Sequence, residues 1–257
     1  MSTIYNKMLS TKDKPILSII IPAYNEEAYI APTLAAAFAA TRRYEGESEI
    51  IVVDNNSTDQ TRAIATASGA KVIFEAKNQI ARARNAGAQA ARGQCLVFVD
   101  ADTLLEGDIL DKVATNMADG KVIGGGAWTE PDLAGGSAWL FKYGVNMLLA
   151  LGNVTVGPFL YCDREAFLRV GGFDETLYAA EEFSLARRLK EEARKQQKQW
   201  RIIKFHPGHR IITSSRKFGR FGGLGMALSN AHLLWNTQRK LRNKDECGFW
   251  YAQRKPK

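Results

Sequence analysis

No stretch of this sequence reaches the roughly 20 uncharged apolar residues that a membrane-spanning helix needs. The longest apolar run, Trp139 to Val156, is interrupted by Lys142 and Asn146 and reads as a buried helix. The first 14 residues lack an apolar signal core, so a cytoplasmic protein is expected rather than a secreted one. Cysteine is scarce and odd in number. Cys95, Cys162 and Cys247 match no metal-binding spacing and read as reduced, unpaired thiols. A Gly-rich phosphate loop is missing after the first predicted strand, where Pro22-Ala23-Tyr24-Asn25 stands instead. That absence argues against a dinucleotide-dependent dehydrogenase and against a sugar-phosphate nucleotidyltransferase. Internal repeats and low-complexity linkers are also absent, which favours one domain over residues 1–257.

Charge is present but unevenly placed. The net charge is +8, yet Lys190 to Lys257 holds 17 Lys/Arg against 4 Asp/Glu, a net +13 that leaves −5 for the rest. Such a tail suits an anionic partner: a diphosphate, an anionic lipid surface or a polyanion. A non-catalytic basic module would explain this charge, but not the acids described below. No nucleic-acid partner is expected.

The first half alternates strand and helix signals. Ile16 to Ile21, Glu49 to Val53, Lys71 to Phe74 and Cys95 to Val99 read as buried strands. Helices are predicted from about Glu26 to Arg43, from a cap at Ser57 or Thr58 to Gly69, and from Gln79 to Arg92. This order predicts an α/β fold with a mostly parallel central sheet flanked by helices on both faces. Further on, Val122 to Ala127, Ile202 to Phe205 and Arg210 to Thr213 read as strands. Gly135 to Leu151, Asp163 to Val170, Ala179 to Ala193 and Phe221 to Arg242 read as helices. The last of these forms a helical C-terminal elaboration. Its apolar positions Leu224, Leu228, Leu233 and Leu234 suit a core or dimer helix; they also allow peripheral contact with the inner face of a membrane and a lipid-linked acceptor. The oligomeric state is not legible.

Polar clusters fall at the carboxyl ends of three predicted strands, where ligands bind in parallel sheets. Asp100-Ala101-Asp102 follows Leu96-Val97-Phe98-Val99. In an extended segment the two carboxylates point to one side, and their repulsion is relieved by Mg²⁺ or Mn²⁺. Asp54 ends the second strand and is placed at a donor ligand, while Ser57 and Asp59 read as helix caps. Pro22, Tyr24 and Glu26 offer a ring for stacking on a base and an acid for hydrogen bonding. Of Arg82 and Arg84, two apart on a helix, Arg84 is preferred as a phosphate contact. Glu181 and Glu182 open a helix; a carboxylate there can take a proton from an acceptor hydroxyl, or merely compensate the helix dipole. His206 is a candidate extra metal ligand, and Arg216 a candidate diphosphate contact in a basic loop.

Taken together, these residues resemble the family 2 glycosyltransferases. Ile20-Ile21-Pro22-Ala23-Tyr24-Asn25-Glu26 and Val52-Val53-Asp54-Asn55-Asn56-Ser57-Thr58-Asp59 look like that family's first two strand motifs. Ala83-Arg84-Asn85-Ala86-Gly87, Val99-Asp100-Ala101-Asp102, Gly171-Gly172-Phe173-Asp174-Glu175 and Glu181-Glu182 continue the series to Leu189. The resemblance implies a GT-A fold and metal-dependent, inverting transfer of a sugar from a nucleoside-diphosphate sugar to an acceptor hydroxyl of a saccharide or a lipid-linked compound. It implies that Asp54 binds the nucleoside, Asp100 the nucleoside and metal-diphosphate region, and Asp102 the metal. A nucleotide-binding half at about 16–105, an acceptor half at about 106–215 and a basic tail at about 216–257 follow from it. The chain departs from the family at Asn55, where a second acid is common, and at Glu182, where aspartate is usual and which matches the family's base. The Gln-x-x-Arg-Trp motif of processive members is absent.

Overall fold

The computed structural model describes residues 14–118, 120–132, 146–147, 157–204, 206, 208–215, 241–243 and 247. The predicted helices at Gly135 to Leu151 and Phe221 to Arg242 therefore lie almost wholly outside the described residues, as does Arg216.

The strands are β1 (Leu17–Ala23), β2 (Ser48–Asp54), β3 (Lys71–Phe74), β4 (Cys95–Val99), β5 (Thr103–Gly107), β6 (Val122–Ala127), β7 (Glu130–Pro131), β8 (Phe159–Asp163), β9 (Gln199–Ile203) and β10 (His209–Thr213). The helices are α1 (Ile30–Arg43), α2 (Thr61–Ala67), α3 (Ile80–Ala90), α4 (Ile109–Met117), α5 (Arg164–Arg169) and α6 (Glu181–Lys195). Seven strands form the main sheet in the order β3-β2-β1-β4-β8-β6-β9, and β5-β10-β7 make a small second sheet. Pairing is parallel from β3 through β4; β8 runs against both its neighbours. Among the described residues no helix is long and apolar enough to cross a membrane.

Every residue of β1 and β4 is buried, as their apolar runs require of strands covered on both faces, and Ser18, the polar residue among them, is hydrogen-bonded to Glu49 and Gly93. Alternate residues serve the two faces. Leu17, Ile19 and Ile21 pack with Ile30, Leu34 and Ala37 of α1. Ile20 joins Ala81 and Ala88 of α3 and Leu185 and Leu189 of α6. Gly87 permits the close approach of α3, because a Cβ there would lie 2.3 Å from Ile20 Cγ2.

The chain runs outward from β1 to β2 to β3, then returns through α3 to β4 on the other side of β1. Strand order therefore reverses between β1 and β4, and the carboxyl ends of these two strands frame a crevice where such sheets take ligands.

Several local expectations shift. Ser57 does not cap α2: its Oγ accepts from Asn25 N–H at 3.1 Å, and Thr58 N–H donates to Asn25 Oδ1 at 2.8 Å. The helix begins at Thr61, whose N–H is taken by Asp59 Oδ1 at 2.9 Å. The loops after β1 and β2 are thus stitched together. Helix α4 and strand β8 were not predicted, although their apolar patterns, Ile109/Leu110/Val113/Ala114 and Phe159-Leu160-Tyr161-Cys162, carry the signal.

Candidate functional site

Asp54, Tyr24 and Asp100 stand at the ends of three neighbouring parallel strands. With adjacent strands about 4.8 Å apart, Asp54 and Asp100 end strands separated by about 10 Å, the width of a ligand crevice. Asp54 is buried, and its Oδ1 accepts from Ser57 N–H at 3.0 Å. Pro22 is buried within β1, Glu26 is buried just beyond it, and Tyr24 is half-buried. Glu26 N–H donates to Thr61 Oγ1 at 2.7 Å, a second tie between the two loops.

Segment 100–102 is not extended as expected. Thr103 N–H donates to the Asp100 carbonyl at 3.1 Å, closing a β-turn from which β5 departs. The reason is that the chain must leave the main sheet here to build the second one. The turn is pinned from outside. Asp100 N–H donates to the Pro158 carbonyl at 3.0 Å, Thr33 Oγ1 donates to the Ala101 carbonyl at 2.8 Å, and Ser214 N–H donates to the Asp102 carbonyl at 3.1 Å. Thr33 and Ser214 were not anticipated; a hydroxyl in a helix and a loop N–H carry no sequence signal for such a task. Among the described residues no group of three or more His, Cys, Asp or Glu could hold a metal ion.

Arg84, the candidate phosphate contact, has both its Nη atoms against carboxylates. Nη1 donates to Glu181 Oε1 at 2.7 Å; Nη2 donates to Asp100 Oδ1 at 2.9 Å and lies 2.9 Å from Glu182 Oε1. The guanidinium carbon sits 5.3 Å from the centre of the Phe173 ring. The Arg84 side chain is only 3% exposed, Glu181 1%, Glu182 17% and Asp100 24%. Burial alone would push the guanidinium down, but Glu182, Asp100 and Glu181 together hold it above its ordinary value. Burial, and then the charge of Glu182, push the Glu181 carboxyl up to about 8, against the pull of Arg84. Arg82, by contrast, pairs with Glu75 and Glu175 and is a third exposed.

The start of α6 is held from several directions. Asn85 Oδ1 accepts from Phe173 N–H at 2.8 Å, and its Nδ2 donates to the Phe173 carbonyl at 2.9 Å. Gly172 has φ +65° with Asn85 Oδ1 pressed where a Cβ would be, so glycine is dictated there by this clasp, while at Gly171 it is favoured by φ +81°. Ala180, the residue before Glu181, is left-handed at φ +61°. Before it, Leu177 and Ala179 pack with Leu241 and Cys247, and Tyr178 N–H donates to the Leu241 carbonyl at 2.7 Å. A C-terminal segment thus braces the approach to the glutamates, a long-range contact with no local signature. A cavity of about 420 Å³, lined by Asn85, Gly171, Phe173, Asp174, Glu175 and Arg188, opens beside this segment; none of the strand-end acids lines it.

His206 is not brought to the aspartates. Its bridge to His209 puts it by Gly107, because β10 pairs His209 with Gly107 and Thr213 with Thr103. Four residues of ladder, about 13 Å, separate that end from the aspartate turn. His206 instead stacks on His209 with ring centres 5.3 Å apart.

Asn55, the departure from paired acids, has a structural task. Its Nδ2 donates to the Glu75 and Lys77 carbonyls at 3.1 and 2.6 Å, and its Oδ1 accepts from Gln79 N–H at 2.8 Å. Only an amide can do both. Asn55→Asp is expected to cost about 2–4 kcal/mol by setting a buried carboxylate against two carbonyls. The measurement is thermal unfolding; an unchanged Tm would show those bonds to be dispensable.

The Glycosyl transferase family 2 sequence profile matches residues 18–160. An uncharacterised glycosyltransferase of Mycobacterium bovis is 33% identical over 104 residues, 40% of this chain and 44% of that protein. The chain thus aligns with less than half the length of that relative. Among solved structures, a mannosyltransferase of Pyrobaculum calidifontis in complex with GDP-Man and Mn²⁺ superposes with a TM-score of 0.62 at 18% identity, covering 97% of this chain and 73% of that one. Glucosyl-3-phosphoglycerate synthase of Mycobacterium tuberculosis, with Mn²⁺, UDP and glucosyl-3-phosphoglycerate, superposes with a TM-score of 0.58 at 17% identity, covering 90% and 86%. The fold is accordingly of the GT-A type, and with its profile match spanning more than half of its residues, the chain belongs to glycosyl transferase family 2.

Proposed function

We propose that this chain transfers a sugar from a nucleoside-diphosphate sugar to an acceptor hydroxyl, with inversion at the anomeric carbon. What supports this reading is that Asp54 and Asp100-Ala101-Asp102 stand at or just beyond strand ends at the switch point of the sheet, and that Arg84 links Asp100 to Glu182 at the start of α6. Residues of about 16–105 would form the nucleotide-binding half and about 106–215 the acceptor half.

Two carboxylates at the rim of a crevice form a hard-oxygen set that fits Mg²⁺ or Mn²⁺, with diphosphate oxygens and water completing the shell. Asp100 and Asp102 would hold the ion, and its chemistry is to neutralise the departing nucleoside diphosphate. The nucleotides and Mn²⁺ bound by the two solved relatives support this choice.

Asp54 accepts hydrogen bonds from the nucleoside. Glu182 is assigned as the base: its side chain is 17% exposed and accessible to an acceptor, whereas that of Glu181 is 1% exposed. The acceptor oxygen bonds to the anomeric carbon as the bond to the diphosphate oxygen breaks. The hydroxyl proton passes to a Glu182 oxygen, and the electron pair leaves with the diphosphate.

Thermal unfolding with UDP or GDP, with and without Mn²⁺, tests the reading. At a ligand concentration of about 100 Kd the fold gains about 2.7 kcal/mol. On a chain of this size that is a rise of roughly 5–10 °C. The rise should require Mn²⁺; stabilisation by nucleotide that ignores the cation and disappears with salt would point to a polyanion-binding module instead.

A further inference from the structure

We infer that Arg84 is a positioning residue, one that fixes the base Glu182 relative to the donor-side carboxylate Asp100 through a single shared guanidinium nitrogen. This rests on the function proposed above. The geometry is restrictive. Nη2 lies 2.9 Å from both Asp100 Oδ1 and Glu182 Oε1, so those two oxygens stay within twice that distance of each other. Nη1, on the other prong of the fork, holds Glu181 at 2.7 Å, which anchors the first residue of α6. The Phe173 ring lies over the guanidinium carbon at 5.3 Å and covers one face of the fork. Three elements that arrive from separate parts of the chain, β4, α6 and the Gly171-Gly172 loop, therefore meet on one side chain of α3.

A purely structural ion pair is the competing explanation, and two observations count against it. Helix α6 already has an apolar anchor, since Leu185 and Leu189 are fully buried in the core beneath it. Buried ion pairs are also weak stabilisers against apolar replacements, because desolvation offsets the attraction. What the pair supplies is orientation: Asp100 and Glu182 are partly exposed, at 24% and 17%, while the arginine that holds them is buried at 3%. A guanidinium can serve two carboxylates from one nitrogen and a third from the other in a fixed plane; an ammonium is a point charge without that plane.

The test is Arg84→Lys, with transfer to water measured from UDP-glucose or GDP-mannose, whichever the wild type turns over. A 1 Å displacement of a catalytic group lowers turnover by up to about 100-fold, so kcat should fall about 30–100-fold while donor KM moves less than about 3-fold. Mn²⁺-dependent UDP affinity, read by calorimetry without turnover, should also stay within about 3-fold. Phe173→Leu keeps all three ion pairs and frees the plane of the fork; about a 5-fold fall in kcat at unchanged KM is expected, and it provides the readout if the lysine variant does not fold. A kcat near wild type in both variants overturns the positioning role, and so does a loss confined to donor KM and UDP affinity, which would mark Arg84 as a donor contact. A wild type that binds no nucleotide with Mn²⁺ and turns over no nucleotide sugar removes the parent function, and the positioning role with it.

Discussion

Asp102→Asn is expected to abolish Mn²⁺-dependent binding of UDP or GDP and to lower sugar transfer by at least about 10²–10³-fold, the several kcal/mol that a Lewis-acid cation contributes to the transition state. The substitution is nearly isosteric. The Asp102 backbone is held by Ser214 N–H, and the turn is closed by the Asp100–Thr103 hydrogen bond, neither of which involves the carboxylate. The fold should therefore survive, with Tm within about 2 °C of wild type, as for substitutions that remove no packing. An amide in place of a carboxylate withdraws one of the two hard anionic ligands of the proposed site. Retained cation dependence in this variant would remove Asp102 from the metal site.

Glu182→Gln should lower kcat by about 10²–10⁴-fold, the range for a general base, while nucleotide affinity is kept. Its neighbour provides the control. Glu181 is fully buried, and its carboxyl is raised by burial to about 8. In Glu181→Gln the side-chain carbonyl still accepts from Arg84 Nη1, so the fork keeps its anchor and the loss should be much smaller. If Glu181→Gln proved the more damaging of the two, the roles assigned to the glutamates would exchange. Loss of nucleotide binding in Glu182→Gln would recast that residue as a donor contact.

Much of this site was readable because its residues sit at the ends of short, unbroken apolar runs. Ile50-Ile51-Val52-Val53 before Asp54 and Leu96-Val97-Phe98-Val99 before Asp100 can only be strands buried on both faces. Parallel strands joined through helices must end on the same edge. What failed was the local conformation beyond those ends. The Asp-Ala-Asp pattern predicts an extended segment, but the chain turns there to found the second sheet. Ser57 reads as a cap, yet its partner is Asn25 in a loop 32 residues earlier.

By itself the sequence determined the order of elements from β1 to β4 and which acids end those strands, because apolar periodicity is a local property fixed by backbone geometry. Only the tertiary structure decided which charges meet. The partners of Arg84 lie 16, 97 and 98 positions away in the chain. A buried guanidinium takes whichever carboxylates the packing of β4 and α6 delivers, and no pattern along the chain encodes that choice. The same holds for His206, which a short ladder carries away from the aspartates, and for Leu241, which returns from the far end of the chain to brace the glutamates.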